Sequence, residues 1–132
     1  MERRVVITGL GAITPIGKDV NESWNSILNK KCGIDNISLF DNSTFKTKVD
    51  AEVKNYESQE YFDLKQSKRL DRSSQFAIIA SREAFKDSGI TKENTDFERV
   101  GVFVSSGIAG LSTIQEQCTI NCTKGHNRIS PM

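Results

Sequence analysis

Apolar residues fall along this chain in two rhythms. Val5-Val6-Ile7 and Val100 to Val104 are short continuous runs, rich in β-branched residues and ended by glycine or small residues. That pattern predicts two buried strands. Val49, Ala51 and Val53 alternate with Asp50, Glu52 and Lys54, which predicts a strand with one wet face. Elsewhere the spacing is helical. Val20, Trp24, Ile27 and Leu28 share one face of a helix over 19–31. Asp19 caps it with Glu22 as capping-box partner, Lys30 and Lys31 suit the negative end of its dipole, and Gly33 terminates it. A longer helix is expected over 67–88, closed by Gly89, with its centre from Phe76 to Ala80 apolar all round. Leu70, Ala77, Ala80, Ala84 and Phe85 extend that surface. A third helix runs over 111–121, with Ser112 and Gln115 at capping-box spacing. The polar stretch 35–47 is turn-rich, with Leu39, Phe40 and Phe45 as anchors.

Strands separated by helices predict an α/β protein with a buried, mostly parallel sheet. The 132 residues suffice for one modest domain. Charge is nearly balanced, 18 basic against 17 acidic, which argues against a general polyanion binder. No apolar run reaches the ~18–20 residues of a membrane span, and the start does not read as a signal peptide. A cytoplasmic location is therefore expected. Cys32, Cys118 and Cys122 read as thiols in a reducing compartment. With one histidine, His126, they do not build a closed zinc site.

Three stretches could carry chemistry. Gly9-Leu10-Gly11 follows a strand, but Thr14, Pro15 and Gly17 stand where a dinucleotide-binding turn needs a third glycine opening into a helix. Glycines placed for close backbone packing explain it better. Ser105-Ser106-Gly107-Ile108-Ala109-Gly110 has neither the lysine of a phosphate loop nor the flanks of a nucleophile elbow. It fits core packing or a substrate-lining loop. Lys65, Lys68, Arg69 and Arg72, at offsets 0, 3, 4 and 7, form one basic helix face, to which Arg128 could add. Basic residues at a helix N-terminus oppose the macrodipole. Binding an acidic protein surface explains them better than nucleic acid, since no aromatic residues interleave.

These elements line up with one family. Residues 3–17 resemble the first strand and turn of the elongating β-ketoacyl-acyl-carrier-protein synthases, the condensing enzymes. Gly33-Ile34-Asp35, Phe40-Asp41 and Lys68-Arg69-Leu70-Asp71-Arg72 resemble further landmarks in the expected order. Ser106-Gly107-Ile108-Ala109-Gly110-Leu111 is similar to the family's Gly-Ser-Gly-Ile-Gly-Gly-Leu loop, and Arg128-Ile129-Ser130-Pro131 matches another landmark.

The resemblance implies that 1–132 is a partial, N-terminal β-ketoacyl synthase domain, part of a thiolase-like α/β/α/β/α layered fold. It implies decarboxylative Claisen condensation of acyl and malonyl thioesters in fatty-acid synthesis, with an acidic acyl carrier protein as partner and a homodimer as assembly. No cofactor, metal, nucleic acid or membrane is implied. The family's catalytic cysteine and two histidines have no counterpart here: none of the three cysteines stands in an Ala-Cys-x-Ser/Thr context, and Gly125-His126-Asn127-Arg128 matches neither histidine motif. This stretch alone is therefore expected to be inactive. By position, Lys65, Lys68, Arg69 and Arg128 would meet the carrier protein, and Ile108 would sit at the base of the acyl pocket. A non-catalytic carrier-binding module and a polyketide ketosynthase or its chain-length partner remain as alternatives.

Overall fold

The computed structural model describes residues 3–130. Four α-helices order the chain: α1 (Val20–Leu28), α2 (Leu64–Arg69), α3 (Arg72–Asp87) and α4 (Leu111–Lys124). Short 3-10 turns lie at Ser58–Glu60, Phe97–Arg99 and His126–Arg128. Two strands, β1 (Asp35–Asn36) and β2 (Val49–Asp50), pair antiparallel with Asp35 opposite Asp50. The chain divides into two compact units, one of residues 1–56 and 79–98, the other of 57–78 and 99–132.

In the first unit the N-terminal turn is built onto α3. A Cβ on Gly9 would lie 2.2 Å from the Ala84 carbonyl oxygen, and one on Gly11 1.9 Å from that of Ala80. The backbone therefore touches the helix where no side chain fits, as the sequence predicts. Acidic side chains of α3 fasten the turn. Asp87 accepts from the Leu10 N–H at 2.9 Å, and Glu83 accepts from the N–H groups of Ala12 and Val20, each at 2.9 Å. Asp19 caps α1, accepting from the Glu22 N–H at 2.7 Å, while Glu22 reaches past the cap to the Lys18 N–H at 2.8 Å.

The apolar face predicted for α1 is not its buried face. Ser23 and Ser26 are buried, whereas Trp24 is 58% exposed and Ile27 and Leu28 are exposed. The serines face inward because their hydroxyls are used: Ser23 bonds the Thr14 hydroxyl at 2.9 Å and Ser26 donates to the Ile16 carbonyl at 2.7 Å. The helix also ends early, with Asn29 as cap and Lys30 left-handed at φ 55°, so Lys30, Lys31 and Gly33 lie beyond it.

The wet-faced strand does not keep its alternation either: Asp50 and Lys54 are exposed as expected, but so are Val49 and Ala51. Ladder pairing stops at Asp50, and Glu52 is the buried residue at 6% exposure. Its carboxylate gathers the Ser38 N–H at 2.9 Å, the Ser38 hydroxyl at 2.5 Å and the Leu39 N–H at 3.0 Å. The Ser38 hydroxyl, above all, holds Glu52 below the usual carboxylate range. Lys54 pairs with Asp35 at 2.6 Å. Leu39, Phe40 and Phe45, expected as anchors, are exposed, although the two phenyl rings meet edge to face at 5.6 Å.

Val5–Ile7 and Val100–Val104 form no strand among the described residues. Phe103 is 96% exposed, and Val5, Ile7 and Val102 are nearly as open. A continuous apolar strand is stable where ladders satisfy both of its edges and its two faces are covered. Neither condition is met here, so the composition of a buried strand is present without its pairing. The expected parallel sheet is absent among the described residues, whose one ladder is the antiparallel β1–β2 pair.

In the second unit the long helix expected over 67–88 is two helices. Asp63 caps α2 through the Gln66 N–H at 2.7 Å, and α2 ends at Leu70, whose backbone is extended. Asp71 then starts α3, its carboxylate accepting from the Ser73 and Ser74 N–H groups at 2.9 and 3.1 Å. An aspartate followed by two serines competes with helix continuation by offering the backbone a cap. At its far end α3 closes on Gly89, left-handed at φ 65°. The capping box expected at Ser112 is absent; Gly110, at φ 68° and ψ 22°, is the N-cap of α4 and offers no side chain.

Candidate functional site

The break before Asp71 redraws the basic patch. Lys65, Lys68 and Arg69 are exposed on α2, but Arg72 is the first residue of α3, its guanidinium 5.0 Å above the Phe76 ring. The four do not share one helix face. Lys68 and Arg69 also lie in the last turn of α2, where cations favour the dipole. Local stability therefore accounts for those two in part, and Lys65 in the first turn is the one it does not explain. Arg128 is exposed on the 3-10 turn after α4, where its N–H donates to the Gly125 carbonyl at 3.1 Å.

Ile108 lies in the open loop before α4 and is 72% exposed. A Cβ on Gly107 would meet nothing within 4 Å, so packing among the described residues does not require that glycine. Gly110 differs: beyond its positive φ, a Cβ there would sit 3.6 Å from a carboxylate oxygen of Asp71. A concavity of about 250 Å³ opens at this junction, lined by Asp71, Arg72, Phe76, Gly110, Leu111 and Ser112 among others. The Ser73 hydroxyl, at 2.5 Å, is the chief reason that Asp71 is held below its ordinary 3.8.

Several residues that shape the two units were not singled out by pattern. Asp71 carries a readable signal, an aspartate just before a helical run. Gln75, inside an apolar-looking stretch, carries none, yet it is 5% exposed and donates from Nε2 to the Leu70 carbonyl at 2.8 Å and the Ser67 carbonyl at 3.1 Å. Glu83 and Asp87 sit at helical spacing, but their partners lie over sixty positions away in sequence.

Among the described residues no nucleophile and base come together. Cys32, Cys118 and Cys122 are exposed and in no disulfide, and His126 is exposed in its turn. Among the described residues no three His, Cys, Asp or Glu side chains gather as metal ligands, and no helix is long and apolar enough to cross a membrane.

Comparison with known proteins places these features. Residues 2–132 match the family model described as the beta-ketoacyl synthase N-terminal domain. The chain is 39% identical over 129 residues to 3-oxoacyl-(acyl-carrier-protein) synthase 2 of Staphylococcus aureus (strain N315). It is 40% identical over 130 residues to the protein of that name from Coxiella burnetii (strain RSA 493 / Nine Mile phase I). Each alignment covers 98% of this chain and 31% of the relative, so the chain spans under a third of the length of the proteins it matches. Among solved structures, the ishigamide ketosynthase/chain length factor superposes with a TM-score of 0.60 at 31% identity, over 71% of this chain and 23% of that one. The architecture is thus that of the N-terminal part of a thiolase-like ketosynthase, and the chain belongs to the beta-ketoacyl synthase family.

Proposed function

We propose that residues 1–132 are one portion of a β-ketoacyl-acyl-carrier-protein synthase that elongates acyl chains in fatty-acid synthesis. The observation that carries this reading is the 38–40% identity, over 97–98% of the chain, to proteins named 3-oxoacyl-(acyl-carrier-protein) synthase 2. In the reaction, an acyl group is held as a thioester on a cysteine. A malonyl thioester loses carbon dioxide, and the carbanion left behind attacks the acyl carbonyl, expelling the cysteine thiolate. This reading places the nucleophile and histidines outside residues 1–132. Working as a cytoplasmic homodimer is part of the same reading.

What this chain supplies is recognition. Lys65, Lys68 and Arg69 on α2 and Arg128 on its own turn are exposed, and in this reading they meet an acidic acyl carrier protein. Such exposed charges act through steering and orientation, so their effect is screened by salt. Ile108 forms the floor of the acyl pocket, which limits the chain length accepted.

The test uses the native gene product that carries these residues, with malonyl and acyl groups loaded on carrier protein. A 3-oxoacyl product two carbons longer, formed with loss of carbon dioxide, is expected. Charge reversal at Lys65 and Arg69 together raises KM for the carrier-bound substrate by about tenfold, less at high salt. An unchanged KM would remove α2 from the docking role. Similarity to a ketosynthase/chain length factor favours a second reading, a polyketide ketosynthase, at the lower identity of 31%. Repeated condensation without intervening reduction would identify it.

A further inference from the structure

We infer that Gln75 is a positioning residue for carrier recognition: it fixes the direction in which α2 presents Lys65, Lys68 and Arg69. The inference rests on the docking role proposed for that helix. A helix of six residues has little stability of its own, and its final carbonyls lack intrahelical partners. Here two backbone carbonyls at that end, of Ser67 and Leu70, both accept from the Gln75 amide, which is buried in the second turn of α3. Asp71 sets the start of α3 independently, through the Ser73 and Ser74 amides and hydroxyls. The Ser67 hydroxyl bonds that of Ser58, tying α2 to the turn before it. The Gln75 amide therefore holds the elbow from the α3 side, and the Ser58–Ser67 hydroxyl pair holds α2 from the other. Lys65, Lys68 and Arg69 are exposed whereas Gln75 is buried, so a substitution at Gln75 leaves their charge in place and presentation and charge can be varied separately.

The test compares two substrates in the native gene product: an acyl group on the acidic carrier protein, and the same acyl group on a small pantetheine thioester that lacks the protein. Gln75→Met keeps the length and apolar bulk of the side chain and removes both donors. The expected result is a KM about five- to tenfold higher for the carrier-bound substrate, the scale of losing one or two hydrogen bonds. KM and kcat for the pantetheine thioester should stay within about twofold. A merely structural role would alter both substrates alike, and that outcome overturns the proposal. If Gln75→Met does not fold, Ser67→Ala loosens the other side of the elbow and should produce the same selective change at about three- to fivefold, above the variation allowed for the pantetheine thioester. Equal KM changes there also overturn it. The Lys65 and Arg69 charge reversal runs in parallel. If it leaves carrier KM unchanged, the docking role itself has failed. If it raises KM while Gln75→Met does not, the positioning role alone has failed.

Discussion

Two small-residue turns follow apolar segments in this chain, and their surroundings differ completely. At Gly9 and Gly11 the backbone lies against α3, with carbonyl oxygens 2.2 and 1.9 Å from where a Cβ would stand, and Asp87 and Glu83 hold the amides in place. At Gly107 there is open space to 4 Å, and residues 105–109 are exposed. Composition alone makes the two turns look alike. What separates them is whether a partner surface is already present: the first turn is finished by contacts within its own unit, and the second is not. A glycine needed for packing and a glycine kept free for a ligand or a partner leave the same mark in a sequence.

The sharpest way to break the comparison is to put a methyl group on each turn. Gly11→Ala drives a carbon into the Ala80 carbonyl, and relief requires moving the helix backbone. It should destabilise the native gene product by more than about 3 kcal/mol, measured by denaturant unfolding. Gly9→Ala should follow closely. A loss under about 1 kcal/mol at both would show that α3 and the turn are not packed as described. Glu83→Ala comes next. It leaves the Ala12 and Val20 amides without their acceptor, for a loss of about 2 kcal/mol, and Glu83→Gln, which keeps one carbonyl acceptor, should recover part of it.

This pair of turns also shows how far sequence reaches. The role of Gly9 and Gly11 was legible because a missing third glycine and a delayed helix excluded the nucleotide-binding alternative. Asp19 and Gly89 were legible because capping is local chemistry, settled within three or four residues. What could not be read were cases where a polar group overrides a pattern. Ser23 and Ser26 bury a face of α1 beside its apolar stripe, Glu52 breaks a strand's alternation, and Asp71 with Gln75 breaks what periodicity draws as one helix. Each depends on specific hydrogen bonds, and those of Ser26, Glu52 and Gln75 reach backbone groups five to fourteen residues away, beyond any local rule. The strand-like runs at 5–7 and 100–104 mislead for the opposite reason. Their composition reflects burial between neighbours, and neighbours are a tertiary property. The basic residues of α2 were legible as a motif, whereas the break that puts Arg72 on α3 was not.

The elbow gives the third and smaller effect. Asp71→Ala removes the cap of α3 and should cost about 1 kcal/mol at neutral pH. The dependence on pH follows from the lowered pKa. A carboxylate whose folded value lies below its ordinary 3.8 stabilises the fold fully above that value, and loses the contribution as pH falls through the folded value. The stability gap between the native protein and Asp71→Ala should therefore be constant above pH 4–5 and shrink in more acidic solution. Asp71→Asn, whose amide oxygen can still cap, should cost less, and its gap to the native protein should narrow in acid by the same amount, because only the native side chain titrates. A gap that widens toward acid would mean that Asp71 is protonated more easily in the fold than outside it, contrary to the Ser73 and Ser74 bonds.

The smallest effect is expected where the second turn is open. A methyl group at Gly107 meets no atom, so Gly107→Ala should change stability by no more than about 0.5 kcal/mol. The informative measurement is then turnover as a function of acyl chain length. If the loop is a substrate-lining surface beside Ile108, the added methyl narrows the pocket, and long acyl groups lose kcat/KM while short ones keep it. Ile108→Trp should do the same more strongly, because more volume is added to the same floor. Should Gly107→Ala instead destabilise the protein as Gly11→Ala does, the loop is packed in the complete gene product, and the two turns differ in when they are covered and not in what they do.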